Sequence, residues 1–405
     1  MTHSHGDAET HLDPRDARRA KAVFALILGP ALIATLLGAW LLRPTGDMPV
    51  IETSGPGQSF HTVTVVSVGG VDAYDQPTVD AAHDGDVVEV SLPPEYGDEV
   101  EVGDRIQVAR IPDASEGTSA YMFVDFQHGP PLALLALVFG VLVVAVARWR
   151  GFAALLGLGF ALVVIGTFTL PALIGGRPAV WVGLVSATAI MFVVLYLAHG
   201  FSLRTSTALV GTLAGLGATA AIAWWASGAA ELSGLSDEYA LDLMSFAPQL
   251  RMREVLLCGM VLAGLGVLND VTITQASAVW ELHATDPTAG RRSLFSRGMR
   301  IGRDHIASTV YTIVFAYVGA SLPLVLLVAM SDRALLASIS SGELAEEVAR
   351  TLVGSIGLVL AIPLTTAIAT LVVATASRRG DRAPSTSPSA GLGDAGHLSA
   401  VGHVA

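Results

Sequence analysis

Cysteine is all but absent: Cys258 is the only one in 405 residues. That excludes an intrachain disulfide framework and any Cys-rich zinc site. Cys258 lies in an apolar run, the setting of a small buried hydrophobe rather than of a reactive thiol. Charge is also scarce. Only 14% of the residues are charged and 52% are hydrophobic, whereas soluble chains carry about 25% charged residues. With a mean hydropathy of +0.60, a soluble fold of this length could not hide its apolar surface, so an integral membrane protein is indicated. Most cytosolic enzymes and nucleic-acid-binding proteins are thereby excluded. Lys21 is the only lysine, a compositional bias rather than a chemical signal. There is no Walker loop, no G-x-G-x-x-G loop after a strand and no HExxH order. No cofactor is expected.

The charge that is present is unevenly placed. Between Arg43 and Pro130 there are 16 Asp/Glu against 3 Arg, a net of −13, while the whole chain is −12. Apolar runs near the roughly 20 residues of a spanning helix occur eight times: Ala22–Leu42, Pro131–Ala147, Phe152–Ile174, Ala179–Ala198, Thr207–Ala226, Val255–Val271 continuing to Glu281, Ile306–Met330 and Thr351–Ala376. The first follows Arg15, Arg18, Arg19 and Lys21 and has no A-x-A site after it, so it reads as a retained signal anchor. With the N-terminus in the cytoplasm, 15 of the 23 basic residues fall inside, as the positive-inside rule requires. Both termini are then cytoplasmic in a multi-pass protein of the cell membrane, and the acidic segment is outside.

That outer segment, about Ser54 to Asp113, contains "HTVTVVSV", "DVVEVSL" and "DRIQVARI". These are β-rich runs, partly alternating polar with apolar, punctuated by Gly and Pro. They predict a small β-barrel or sandwich of roughly 60 residues, near the lower limit for a free-standing core. The expected fold is an all-α polytopic bundle of about eight spans with this β-domain inserted between spans one and two. The organisation is a cytoplasmic tail (1–21), the anchor (22–42), the acidic outer region (43–130), a seven-helix core (131–377) and a second tail (378–405). Both tails are of the composition that predicts disorder, and the histidines at 3, 5, 11, 397 and 403 fall within them.

The sixth and seventh spans carry the unusual chemistry. In "REVLLCGMVLAGLGVLNDVTITQASAVWEL", Asp270, Thr274, Ser277 and Glu281 recur at spacings of four, three and four, one polar stripe on one helix face. Asn269 and Gln275 flank it. A charge near the bilayer centre costs at least a few kcal/mol, so such residues face a bundle interior or water. In the seventh span, His305, Ser308, Thr309 and Thr312 share a face, and Asp304, Ser308 and Tyr311 an adjacent one. If Glu281 is level with Arg300, the helical rise puts Asp270 about 16 Å deeper, near Tyr311 and Thr312, and the two stripes face each other. Arg303 is a counter-ion for Glu281 or Asp304, and Glu254 pairs with Arg251 or Arg253 at the outer end. The prolines within spans and the G-x-x-x-G of "GTLAGLG" read as kinks and packing points.

Several blocks, in order, resemble a known family. "LAHGFSLRTSTALVGTLAGL", "GLGVLNDVTITQASAVWEL", "FSRGMRIGRDHIASTVYTIVFAYVGASLPLVLL" and "EEVARTLVGSIGLVLAIPLT" look like the core of the YibE/F-like bacterial membrane proteins. The resemblance extends over roughly Pro131 to Val373. It departs from the family at Asn269 and "TITQAS", and leaves Asp270 in place. It implies a multi-pass membrane protein of Gram-positive type and brings no activity with it.

The leading functional expectation is a transporter or channel for a small ion or polar solute. Its path is Asp270, Thr274, Ser277, Glu281, Asp304, His305, Ser308 and Thr312. The competing expectation is a non-catalytic membrane partner whose outer β-domain binds an envelope component. An intramembrane two-aspartate hydrolase is disfavoured, because the expected register holds Asp270 and Asp304 several turns apart and the Gly-x-Gly-Asp context is missing. The implied partners are the bilayer, a small ion or solute, and either another copy or an envelope protein; nucleic acid is not among them. The residue types leave a metal site undefined.

Overall fold

The computed structural model describes residues 14–44, 58–72, 75–112, 119–236, 238–331 and 342–377. Most of both expected tails, all five tail histidines, and the expected ends of the β-domain at Ser54 and Asp113 lie outside these ranges. The first helix, α1 (Pro14–Leu41), starts ahead of the apolar run and carries it to Leu41.

Five strands follow: β1 (Ser59–Val71), β2 (Pro77–His83), β3 (Asp86–Ser91), β4 (Arg105–Arg110) and β5 (Tyr121–Phe126). They close in the order β1-β2-β3-β5-β4. All pairs are antiparallel except β3 with β5. That order, with its one parallel contact, is the topology of an OB barrel. The long β1 makes closure possible, since Ser59–Thr64 pairs with β4 and Thr64–Val71 with β2. Two register shifts in its second half bend it between the two partners. Asp84 and Gly85 both take positive φ, 50° and 96°, the two-residue turn that joins β2 to β3. Val63, Val65, Val79, Ala81, Ile106 and Val108 alternate inward and form the core with Val90 and Phe123. The barrel therefore extends past the expected boundary at Asp113 to a fifth strand, Tyr121–Phe126.

The helical part begins with α2 (Gly129–Val164). Arg148 has φ 55° and ψ −131°, and the chain turns back on itself there. A Cβ on Gly140 would lie 3.8 Å from Leu155, though fifteen residues of straight helix span about 22 Å. The two apolar runs on either side of Arg148 are thus the arms of a hairpin. A π-turn, Ile165–Thr169, leads into α3 (Leu170–Ile174), next to Pro171, which has no N–H for the helical ladder.

The rest comprises α4 (Ala179–His199), α5 (Leu203–Ala229), a short α6 (Glu238–Phe246), α7 (Met252–Thr285), α8 (Arg291–Ala320), α9 (Leu322–Ala329) and α10 (Gly342–Ser377). Ser202 caps α5 by accepting the Thr205 N–H at 3.0 Å. The seventh run is not one straight helix: α9 bends 76° from α8 beside Pro323. Among the described residues six helices qualify by length and composition to cross a membrane, and the bent pair makes a seventh if it is one span. Gly129–Ile174, the folded hairpin, is among the six.

The centre is a triangle of α5, α7 and α10, with α4 and α8 packed on its sides. Small residues set the distances. A Cβ on Gly215 would lie 2.8 Å from Leu268 and 3.0 Å from Ala361, and one on Gly183 would lie 2.9 Å from the buried Cys258 sulfur. Cys258 is the buried hydrophobe its sequence setting predicts.

Candidate functional site: the polar face of α7

The stripe expected from the sequence is continuous on α7, and it faces outward. Asp270 and Glu281 are exposed and Thr274 and Ser277 are half-buried. Gly266 and Ala263, one and two turns above Asp270, are exposed too. At about 100° per residue these six positions fall within roughly 80° of arc. The neighbouring sector, Val267, Val271, Gln275 and Val279, is the one that meets α8 and α10. Among the described residues, the only hydrogen bond from a stripe side chain is internal to the helix, from Thr274 Oγ1 to the Asp270 carbonyl at 2.6 Å.

The register against α8 differs from the expected one by about a turn. Gly298 packs on Val279, and Gly302 on Gln275. The helices are antiparallel, so Asp270 comes level with Ala307 and Ser308 rather than with Tyr311 and Thr312, a shift of about 6 Å. The cause is local. Leu294, Gly298 and Gly302 recur every four residues and form the buried stripe of α8, and the two glycines dock where α7 presents Gln275 and Val279.

His305 is half-buried, and Ser308 and Thr312 are exposed beside this contact. Thr312 donates only to the Ser308 carbonyl, at 3.2 Å. Asp304 is exposed and lies within about 5 Å of the depth of Asp270, not several turns away. It sits two residues past Gly302, about 200° around α8, so it is turned from α7. Among the described residues no hydrogen bond or ion pair joins the two stripes, and Arg303 pairs with neither Glu281 nor Asp304. The same residues hold no group of three metal-ligating side chains.

The buried polar chemistry lies beside the stripe. Gln275 is 1% exposed. Its Nε2 donates to the Gly298 carbonyl at 2.8 Å and to Thr366 Oγ1 at 2.7 Å, tying α7 to both α8 and α10. Thr212 and Thr272 hydroxyls meet at 2.6 Å between α5 and α7. Among the described residues Asn269 Oδ1, Trp280 Nε1, Thr365 Oγ1 and Thr370 Oγ1 are buried without a hydrogen-bond partner. In the sequence Gln275 is marked only as a flank of the stripe, an amide one residue past Thr274 in an apolar run.

At the other end of α7, Glu254 accepts from Arg251 Nη1 at 2.8 Å, the expected pair, and from the Ala179 N–H at 3.2 Å. Glu346, which belongs to neither polar stripe, is 6% exposed in the first turns of α10. It accepts from the Gly234 N–H at 2.8 Å and from Ser236 Oγ at 3.1 Å. A carboxylate preceding a long apolar run was the available signal. Beyond the far end of α7, Asp286 is held below the usual carboxylate range, first by the Thr288 hydroxyl and then by Arg297.

Among curated proteins and among solved structures nothing matches this chain. A family model described as YibE/F-like protein matches residues 135–375. That range takes in most of the hairpin, nearly all of the α5–α7–α10 triangle and the whole polar face of α7, and by it the chain belongs to the YibE/F-like family.

Proposed function

We propose that this protein is a transporter or channel for a small ion or polar solute, with its path along the polar face of α7 beside the His305–Ser308–Thr312 flank of α8. One observation carries the reading: Asp270 stands on an exposed face midway along an apolar helix. A carboxylate at that depth costs about 2.5–3.5 kcal/mol or more against hydrocarbon, so the face is wetted or covered by polar groups. The small residues Gly259, Ala263 and Gly266 continue the same face toward the other end of α7. Asp270 is the ion or proton site in this reading, Thr274, Ser277 and Glu281 extend it, and Asp304, turned from α7 at nearly the same depth, lies off the path. The reading assigns no chemistry to the protein beyond transport.

The same proposal places eight spans, counting the hairpin arms as two and the bent pair as one, with both termini in the cytoplasm of the cell and the barrel outside. Flux of a panel of monovalent and divalent cations into liposomes tests it. Asp270→Asn keeps the shape and removes the charge; flux should fall at least about tenfold with assembly intact. Wild-type flux and pH dependence in that variant would remove the site. Labelling of a cysteine at Asp84 in whole cells tests the sidedness, and reaction only after permeabilisation would reverse it.

A second reading rests on the barrel. Phe60 pairs with Ala109 and Ala109 with Met122, and Phe60 and Met122 are exposed on its outer face. That row favours docking of an envelope component. Deleting the barrel abolishes function in this case, whereas Asp270→Asn does not.

A further inference from the structure

The three tryptophans Trp181, Trp224 and Trp225 stand together at the end of the bundle to which the barrel is joined. Trp181 is near the start of α4, and Trp224 and Trp225 are near the end of α5. With Arg253, Glu254 and Leu257 of α7 they line a cleft of about 800 Å³. The indoles are 63%, 71% and 65% exposed. Tryptophans at helix ends are common as interfacial anchors, and so are arginines. What sets this group apart is a concave space with a cation fixed at its rim.

Arg253 is held in place. Its Nε donates to the Leu232 carbonyl at 2.9 Å, which ties this exposed side chain to the segment that follows α5. Among the described residues no carboxylate lies within ion-pair distance of it. The adjacent Glu254 is committed elsewhere, Oε1 to Arg251 and Oε2 to the Ala179 N–H. The site thus offers the terminal guanidinium N–H groups at the mouth of an apolar, aromatic-walled cleft, at the level where helix ends meet lipid headgroups. Ser227, also on its wall, is 2% exposed and spends its hydroxyl on the Trp224 carbonyl, so the polar recognition falls to Arg253.

We propose that this cleft is a binding site for an anionic glycerophospholipid, its phosphate on the Arg253 guanidinium and one acyl chain against Leu257 and the indoles. Guanidinium and phosphate make charge-assisted hydrogen bonds of matched geometry, and the apolar walls select against a soluble anion. The site needs membrane insertion but not the transport reading.

Native mass spectrometry of the full chain in detergent tests it, with dioleoylphosphatidylglycerol and dioleoylglycerol as probes of equal acyl content. The wild type should retain the phospholipid about tenfold more than the neutral lipid. Arg253→Lys, which keeps the charge but not the guanidinium fork or the Leu232 bond, should keep only part of that preference, and Arg253→Gln should bring the ratio near one. If Arg253→Gln fails to assemble, Trp225→Ala, which leaves the Leu232 bond intact, should lower phospholipid retention about fivefold. Equal retention of both lipids by the wild type overturns the site, as does a preference unchanged in Arg253→Gln and Trp225→Ala. Millimolar inorganic phosphate should leave the bound lipid in place; displacement by phosphate alone would make this a soluble-anion site and overturn the lipid assignment.

Discussion

Gln275 Nε2 lies 2.7 Å from Thr366 Oγ1 and 2.8 Å from the Gly298 carbonyl, so one buried amide joins three helices. Gln275→Leu keeps the volume and removes both bonds. It should cost about 1–2 kcal/mol of stability in detergent, the range for interhelical hydrogen bonds in membranes. Thr366 still donates to the Ile362 carbonyl at 2.7 Å, so the penalty falls mainly on the Gly298 carbonyl. Gln275→Glu should be worse at neutral pH, because a carboxylate offers no donor to that carbonyl, and should recover on acidification. Thermal transitions across pH check both.

Thr219 on α5 occupies the space in which a Cβ on Gly357 of α10 would lie. Thr219 also donates to the Gly215 carbonyl at 2.9 Å, which fixes its rotamer. Gly357→Ala alone should therefore destabilise the bundle by about 1–3 kcal/mol, as overpacking does. Thr219→Ala should cost less, and the double variant should regain most of the loss. A double-mutant cycle measures this coupling, and additive effects would show that the two helices do not cross as described.

Arg148 takes φ 55° at the reversal of the α2 hairpin, a conformation that glycine adopts without strain. Arg148→Gly should raise the thermal transition, by the equivalent of about 1 kcal/mol. Gly151→Val should lower it, because a Cβ there meets the Val143 carbonyl carbon at 2.9 Å across the turn. A straight helix through 129–174 would show neither effect.

Asp286 accepts from Thr288 at 2.9 Å and from Arg297 at 3.1 Å, and its carboxyl is held below the usual range, with the Thr288 bond the largest cause. A depressed carboxylate adds stability above its unfolded pKa, and that contribution is lost as pH falls through the folded value. Asp286→Asn should therefore match the wild type most closely in strong acid, and the difference should grow as pH rises to about 4 and then level off. The residue is exposed, so the effect is small; denaturation of both proteins from pH 2 to 6 measures it.

The apolar runs, the Arg-rich ends and the β-rich insert were legible because each rests on local composition: a chain that must bury its own backbone in hydrocarbon spells helices in runs of length. The alternation of Val63 with Val65 and of Val79 with Ala81 spelled a half-buried sheet in the same way. The stripe of Asp270, Thr274, Ser277 and Glu281 was legible as a face, since periodicity alone fixes it. Which way that face turns was not. The direction is set by where Gly298 and Gly302 let α8 approach, and by Gln275, whose bonds reach partners 23 and 91 residues away in sequence. Such contacts lie between helices and leave no periodic mark on either one. The barrel order, the fifth strand, the bend at Pro323 and the buried Glu346 are of the same kind. Composition and periodicity were enough to say which segments are apolar, where the runs break and which residues share a face. The register and exposure of those faces came from the fold alone, because packing between distant segments settles which side of a helix is left open.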